Sequence, residues 1–294
     1  MKTIVTIIGF AILFNVKLFA DDWFDDDFYN DITDHDYVQM FNFAMIRPII
    51  DINVGLNKIN IDKNTYSNNF NEIGNISGKF GFSRKSSLFD SKLVYKGSNN
   101  YLSIDYLNKD LPLSTSISTN TNAKIFQIGF GDDDFYSYRI ADFMDLEFTN
   151  NSAFSWAWLS FDTHDLDSNN IKYLDYIGDG MRFSNSVGND IKILIDDSYG
   201  INAGFNRTII YQRHLFWYWA GSEIITQACS GMIDWFVRSI AKRNTGAAPI
   251  VYFVLHSAYN YGMYELRKEK MNWPIETSPG FIYDNFKIGI SIKF

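Results

Sequence analysis

Apolar and polar residues alternate with a period of two in many short segments from about residue 39 onward. The first clear case is a run of large apolar residues at every second position: Ile50, Ile52, Val54 and Leu56. Similar runs surround residues 80, 104, 128, 193 and 203. Because successive side chains of a β-strand point to opposite faces, this pattern predicts strands with one apolar face.

Stretches rich in Asn and Asp separate several of these runs and predict tight turns, because both residues tolerate left-handed backbone angles. Asn150-Asn151 and Asp196-Asp197-Ser198 are two such stretches. Strands joined by tight turns pair in the antiparallel sense. The sequence therefore predicts a mainly β fold with about ten to fourteen antiparallel strands.

The two faces of these strands favour a membrane barrel over a soluble sandwich. One face carries large Ile, Phe, Trp and Tyr residues, and the other often carries Gly, Asn and Ser, which suit a wet lumen. Aromatic residues make up 17% of the chain, yet its mean hydropathy is slightly negative. A barrel with an apolar outside and a polar inside explains both values, and the many Tyr and Trp residues fit aromatic girdles.

The chain ends in a long, regular strand pattern. Its apolar face consists of Phe286, Ile288, Ile290, Ile292 and Phe294. In this strand the chain resembles the bacterial outer-membrane β-barrel class, whose members typically end in an alternating apolar strand closed by an aromatic residue. The resemblance implies an antiparallel transmembrane β-barrel, contact with outer-membrane lipid and recognition by the barrel-assembly machinery. It implies no particular activity. Closure of such a barrel requires the last strand to pair with the first.

The N-terminal residues predict export. Lys2 precedes an apolar run from Ile4 to Val16, and Ala20 is a small residue suited to cleavage. These features are typical of a secretory signal peptide, here at residues 1–20. Residues 21–38 are acidic and aromatic, and they predict a solvated, mobile tail. Residues 39–294 would then form the barrel domain.

Residues 222–270 interrupt the alternation and predict a helical hairpin before the last strand. Polar residues recur at steps of three or four from Glu223 onward, which predicts one polar face of a helix. Ser222 is suited to cap its start, and Gly246 lies just beyond its end. Pro249 suits the first turn of a second helix. The hairpin has three candidate locations: inside the lumen as a plug, against the barrel mouth, or across the membrane. We favour packing on or in the barrel.

The candidate catalytic residues are His256, His214 and Glu265. His256 precedes Ser257, and such a pair can hydrolyse lipid with His as the base and Ser as the nucleophile. However, neighbouring residues of a helix point about 100° apart, so His256 is poorly placed to activate Ser257. A structural role for these polar residues is the stronger prediction.

The candidate binding residues are Asp234, Arg238 and Arg213. Asp234 and Arg238 are spaced for an i,i+4 pair on the first helix. Arg213 adjoins an aromatic segment, residues 216–219, that suits a membrane interface. We expect these three side chains to line the lumen or the helices.

Charge and motif content narrow the function without fixing it. The formal charge of −8 argues against nucleic acid as a partner. No motif predicts a cofactor or a metal ion, and the oligomeric state stays open. The sequence predicts an outer-membrane barrel of structural or permeation-related role that is not an enzyme. The alternatives are an outer-membrane lipid-modifying enzyme, similar to a deacylase or phospholipase, and a soluble exported β-rich binding protein.

Overall fold

The structure is a computed structural model that describes residues 46–61, 66–89, 91–114, 120–162, 166–213 and 215–294. Within these residues the chain forms a closed antiparallel β-barrel and three α-helices. The predicted signal peptide at residues 1–20 and the predicted acidic tail at residues 21–38 lie outside the described residues. The closed antiparallel barrel is confirmed.

Eight strands follow one another around the barrel in chain order, so every neighbouring pair is antiparallel. The strands are β1 (Arg47–Asn60), β2 (Ile73–Ser87), β3 (Val94–Asn108), β4 (Ala123–Ala141), β5 (Met144–Phe161), β6 (Met181–Ile195), β7 (Tyr199–Ile210) and β8 (Phe281–Lys293). The predicted pairing of the last strand with the first is confirmed, because β8 pairs with β1 as well as with β7. The closed sheet has no free edge.

The register of the strands sets their tilt. Paired residues followed from Ile50 once around the barrel lead back to β1 at Asn60, a shift of ten residues. With about 3.3 Å per residue and about 4.8 Å between strands, this shift tilts the strands by about 41°. Such a tilt is within the range of closed barrels.

The expected ten to fourteen strands are too many, because the described barrel has eight. Several strands are long, with 18 residues in β5 and 19 in β4. The predicted turn at Asn150-Asn151 is wrong, since both residues lie inside β5. Their backbones pair with Asp134 and Asp133 of β4, so the ladder continues through them. The polar outward side chain of Asn150 reflects its contact with a helix and not a reversal of the chain.

The connections differ at the two ends of the barrel. Three short turns lie at one end: residues 88–93, 142–143 and 196–198. Four longer connections lie at the other end: residues 61–72, 109–122, 162–180 and 211–280. We call these ends the short-turn rim and the long-loop rim. The predicted turn at Asp196-Asp197 is confirmed, and both residues have positive φ angles, 51° and 53°, which Asp tolerates.

The helices lie in two of the long connections. Helix α1 (Ser168–Gly178) joins β5 to β6, while α2 (Phe216–Arg243) and α3 (Ala248–Glu269) lie between β7 and β8. A 3₁₀ turn, Thr245–Ala247, connects α2 with α3. We call α2, this turn and α3 the hairpin. The predicted hairpin is confirmed, but α2 begins six residues before Ser222, whose hydroxyl donates to the carbonyl of Trp273 (2.5 Å) and does not cap the helix.

The hairpin lies against the outside of the barrel and runs from the long-loop rim to the short-turn rim. Near its start, Trp219 packs on Phe183, an outward-facing residue of β6. Near its tip, Val237 and Ala241 pack on Val94, beside the first short turn. The lumen-plug hypothesis is therefore wrong. In the described part of the chain, no helix is long and apolar enough to cross a membrane.

Candidate functional site

The lumen is lined by charged side chains that pair across it. Four lysines form ion pairs with four carboxylates: Lys79 with Asp133 (2.9 Å), Lys192 with Asp51 (3.1 Å), Lys287 with Asp190 (2.9 Å) and Lys293 with Glu147 (2.9 Å). All eight residues are buried. Burial of a charge costs free energy unless the charge is paired. The pairs therefore neutralise the interior and hold these long side chains across it.

Apolar residues fill the lumen at the long-loop end. The cluster includes Ile73, Leu107, Ile125 and Phe281 from the strands and Ile177 from α1. A polar cavity of about 40 Å³, bordered by Asp105 and Lys287 among others, lies deeper in the lumen, and a cavity of this size holds a few water molecules. The interior of an eight-stranded barrel is just wide enough for side chains. Over the described residues, side chains fill the lumen instead of lining an open channel.

One glycine makes room for the lumen charges. A Cβ atom at Gly204 of β7 would overlap the carboxylate of Asp190 on β6. The missing side chain lets this carboxylate lie flat against the neighbouring strand and reach Lys287 on β8. Gly204 therefore has a packing role that only the smallest residue fulfils.

A buried ion pair joins the two helices of the hairpin and the barrel wall. Nη2 of Arg267 on α3 lies 2.8 Å from Oε1 of Glu223 on α2, and both residues are 4% exposed. The same nitrogen donates to the hydroxyls of Ser222 (3.0 Å) and Thr226 (2.8 Å). Nδ2 of Asn185 on β6 donates to Oε1 of Glu223 (2.8 Å). One charged cluster therefore ties both helices to the wall.

The wall beneath α3 is polar, although most outward strand faces are apolar. Outward-facing residues of β4, β5 and β6 form a group that we call the polar stripe: Asp132, Asp134, Asn150, Ser152 and Asn189. Nδ2 of Asn260 on α3 donates to Oδ1 of Asn150 (2.8 Å) and of Asn189 (3.0 Å). The hydroxyl of Tyr252 donates to the backbone carbonyl of Asp134 (3.1 Å). The hairpin therefore covers the polar stripe and satisfies part of it.

His256 is part of this contact between the helices and the wall. It is buried one turn from Tyr252, with the two ring centroids 4.4 Å apart. Its Nε2 lies 2.9 Å from Oδ1 of Asp234 on α2. Nδ1 is buried without a hydrogen-bond partner in the part of the chain that the structure describes. No hydrogen bond joins His256 to Ser257 within the described residues. His256 therefore links α3 to α2 and is not placed as a general base beside a nucleophile.

The other catalytic candidates do not gather around His256. Glu265 is nine residues further along α3, about 14 Å at the rise of an α-helix, and it is exposed with Lys268 3.9 Å away. His214 lies outside the described residues. Among the described ranges, no group of three or more His, Cys, Asp and Glu residues is arranged to hold a metal ion.

The binding candidates lie apart from the lumen. Asp234 and Arg238 are on α2, outside the barrel, where Asp234 contacts His256. Arg213 is an exposed residue of the long-loop rim, between β7 and α2. The structure brings Asp234 and His256 together but leaves Arg213 separate from both.

The chain is only weakly similar to known proteins. No protein-family model and no curated protein matches it. Among solved structures, Neisserial surface protein A (NspA) has a TM-score of 0.33 and 9% identity, covering 84% of this chain and 97% of that one. Ail, the attachment invasion locus protein of Yersinia pestis, has a TM-score of 0.27 and 6% identity, covering 84% and 98%. The fold assignment rests on the strand pairing of this chain.

The partners of the charged residues are not evident from the amino-acid sequence. Alternation puts Lys79 and Lys192 on the polar face of their strands, but the carboxylate that each one meets depends on the ten-residue shift around the barrel. Glu223 and Arg267 lie in different predicted helices. Both residues fit the polar positions of their helices, so no feature of the sequence marks them as a buried pair.

Proposed function

We propose that this chain is an integral β-barrel of the bacterial outer membrane with a structural role. It would anchor the hairpin and the long-loop rim in the membrane and would not conduct solutes. The observation that carries this proposal is the outward face of the barrel away from the hairpin. There the strands expose large apolar side chains at every second position over several neighbouring strands.

The last strand illustrates this face. Four of the five apolar residues in its outward row are about half exposed or more: Phe286 (55%), Ile288 (48%), Ile290 (52%) and Phe294 (63%). The eight residue steps from Phe286 to Phe294 span about 26 Å of strand, or about 20 Å of height at a tilt of about 41°. This height is comparable to the apolar band of about 25 Å in outer-membrane barrels. Water would be a poor solvent for so large a continuous apolar surface.

Aromatic residues border this apolar face at both ends. Tyr106 and Trp158 lie on strands towards the long-loop rim, and Tyr199 lies on β7 towards the short-turn rim. Aromatic rings with a polar edge favour the interface between lipid and water. Their positions support insertion with the barrel axis across the bilayer.

The filled lumen supports a structural role over permeation. Ion pairs hold the middle of the interior, and an apolar cluster occupies the long-loop end. Passage of a solute would require several buried pairs to separate, each at a large cost in free energy. We therefore expect vesicles that contain the purified barrel to retain a trapped sugar as well as protein-free vesicles do. Rapid release of the sugar would contradict the structural role.

Ile52→Arg tests the membrane location. Ile52 lies on the outward face of β1 and is 47% exposed. Arginine at the midplane of a bilayer costs about 2–4 kcal/mol in a barrel, whereas the same change on a water-facing surface is nearly neutral. We expect a lower yield of heat-modifiable barrel in the outer-membrane fraction.

Lys58→Arg is the matched control, because Lys58 also faces outward from β1 but lies beyond its apolar residues. It should assemble with the yield of the unchanged chain. Equal yields for Ile52→Arg and Lys58→Arg, or recovery of the unchanged chain in the soluble periplasmic fraction, would instead favour a soluble exported binding protein.

A further inference from the structure

The outward face of β1, β8 and β7 changes from apolar to charged in one step near the long-loop rim. The last apolar row across these three strands consists of Leu56, Phe286 and Phe205. The next outward row, which we call the charged row, consists of Lys58, Asp284 and Arg207. Two residues of strand at a tilt of about 41° place this row about 5 Å above the last apolar one. In a bilayer that covers the apolar rows, the charged row lies at the level of the lipid headgroups.

Three aromatic rings hold the guanidinium of Arg207 in the groove between β7 and α3. Its Cζ atom lies 4.6, 5.0 and 4.8 Å from the ring centroids of Phe205, Tyr261 and Tyr264. Oδ1 of Asp284 is 3.7 Å from Nε, which is too far for a hydrogen bond. Within the described ranges, neither Nε nor the two Nη atoms donate a hydrogen bond. A guanidinium that is held flat and keeps its donors unused suits a phosphate, which it can bind through two parallel N–H groups.

The charged row has an excess of one positive charge, because two cations flank one carboxylate. Lys58 is exposed and forms no ion pair in the part of the chain that the structure describes. The carboxylate of Asp284 accepts a hydrogen bond at Oδ2 from Nδ2 of Asn60 (2.9 Å). Lys268 of α3 also acts on Asp284 electrostatically, but Glu265 lies 3.9 Å from Lys268, so these two residues add no net charge. The row therefore attracts an anion.

The position of the charged row favours a lipid over a free anion as its partner. The apolar rows below it would contact the acyl chains, so that a headgroup attached to those chains is held at the height of the row. A free anion has no such attachment. Each Lys or Arg close to an anionic membrane surface contributes about 1 kcal/mol of attraction.

We propose that Lys58 and Arg207 bind the phosphate group of an anionic lipid in the leaflet that adjoins the long-loop rim. Arg207 donates to two phosphate oxygens, and Lys58 donates to a third from the other side of Asp284. The backbones of Lys58 and Arg207 are two strand spacings apart, about 10 Å, and their long side chains can close this distance around one phosphate. The proposal rests on the membrane location proposed above and adds a specific lipid partner to it.

Native mass spectrometry tests the proposal by counting the lipids that stay bound. With the purified full chain in neutral detergent, titration with phosphatidylglycerol should show one molecule that binds more tightly than the others. Arg207→Gln should weaken this binding about tenfold, the effect of losing one charge-assisted hydrogen bond. Lys58→Gln should weaken it about fivefold, because one cation is lost near the headgroup. Lys58 is exposed, so this variant should fold even if Arg207→Gln does not.

Two further variants serve as controls, and heat-modifiable migration shows whether each chain is folded. Lys58→Arg keeps the charge and should bind phosphatidylglycerol like the unchanged chain. Lys124→Gln removes another exposed cation near the long-loop rim, which lies 5.6 Å from the ring centroid of Tyr106. Its partner on β5 is the uncharged Ser160, so we expect its loss to leave the binding unchanged.

Two results would overturn the proposal while leaving the membrane location intact. One is equal affinity for phosphatidylglycerol in the unchanged chain and in all folded variants. The other is displacement of the lipid by inorganic phosphate at the same concentration, since the ligand would then be a free anion. Absence of binding in every chain, together with recovery of the unchanged chain in the periplasmic fraction, would contradict the membrane location itself.

Discussion

Arg267→Met is expected to release the hairpin from the barrel wall. Methionine keeps a long apolar stem but removes the guanidinium, so Glu223 remains buried with Asn185 as its donor. Breaking a buried ion pair by removing one partner costs about 3–5 kcal/mol. The pair joins α2, α3 and β6 but takes no part in the strand ladder. Its loss should therefore destabilise the docked hairpin and leave the barrel intact.

Limited proteolysis measures this change. A cost of about 4 kcal/mol corresponds to about three powers of ten in the equilibrium between docked and open hairpin. Lys242 and Arg243 are exposed at the tip, but trypsin cleaves a folded helix only after local opening. We therefore expect cleavage after these residues to accelerate by about a hundredfold or more, while the barrel stays heat-modifiable on a gel.

Two further variants separate the ion pair from general damage. Lys268→Met changes the next residue of α3, which is exposed and only 3.9 Å from Glu265, so its cleavage rate should match that of the unchanged chain. Glu223→Gln added to Arg267→Met removes both charges and keeps an acceptor for Asn185, so most of the loss should be recovered. If Arg267→Met is cleaved no faster than Lys268→Met, the ion pair does not hold the hairpin and the reasoning fails.

Three other substitutions test separate parts of the structure. Lys192→Met should lower the free energy of unfolding in urea by about 3–5 kcal/mol, because Asp51 stays buried without its cation. Adding Asp51→Asn should restore much of this stability. A loss below about 1 kcal/mol would mean that water reaches the pair. Gly204→Ala should displace the carboxylate of Asp190 and lower the urea midpoint, and an unchanged midpoint would contradict the close packing there. His256→Ala should leave the lipid composition of expressing cells unchanged, since within the described ranges the ring bonds to Asp234 and to no nucleophile. Disappearance of a deacylated lipid would instead support the lipid-modifying alternative.

The alternating pattern predicts the strands well because it reports a local property. In β8 the five apolar residues from Phe286 to Phe294 share the outward face, as predicted, and the strand closes the barrel against β1. The turn at Asp196-Asp197 is predictable for the same reason, since its positive φ angles restrict the residue type. Closure of the barrel was predictable from the resemblance to outer-membrane barrels, which leave no unpaired strand edge in lipid.

The number of strands depends on contacts between distant parts of the chain, and the sequence pattern predicts it incorrectly. Asn150-Asn151 has the composition of a turn, but in β5 the side chain of Asn150 faces outward to Asn260 of α3. A strand that contacts a helix on its outer face has no reason to keep an apolar residue there. The sequence does not indicate where the hairpin packs, so a polar interruption within one long strand is indistinguishable from a turn between two shorter ones.

The site is less predictable than the fold, because its contacts join residues far apart in the chain. Lys192 and Asp51 are separated by 141 positions, and only the ten-residue shift of the closed barrel brings them together. Glu223 and Asp234 are recognisable as polar residues of a helix, but their partners lie on α3. His256 is the one catalytic candidate among the described residues that enters such a contact, and it does so as a partner of Asp234.

The polarity of the hairpin faces matches that of the polar stripe beneath them. An amphipathic helix on a water-soluble protein turns its apolar face to the core and its polar face to solvent. Here the buried residues of the hairpin include Glu223, Asn260 and Arg267, while Trp235 and Val254 are more than half exposed. The barrel wall beneath the hairpin is also exceptional, because its outward side chains are polar, whereas most other outward strand faces are apolar. The helices therefore supply the apolar outer surface that the polar stripe lacks, so that the hairpin continues the apolar outer surface of the other strands.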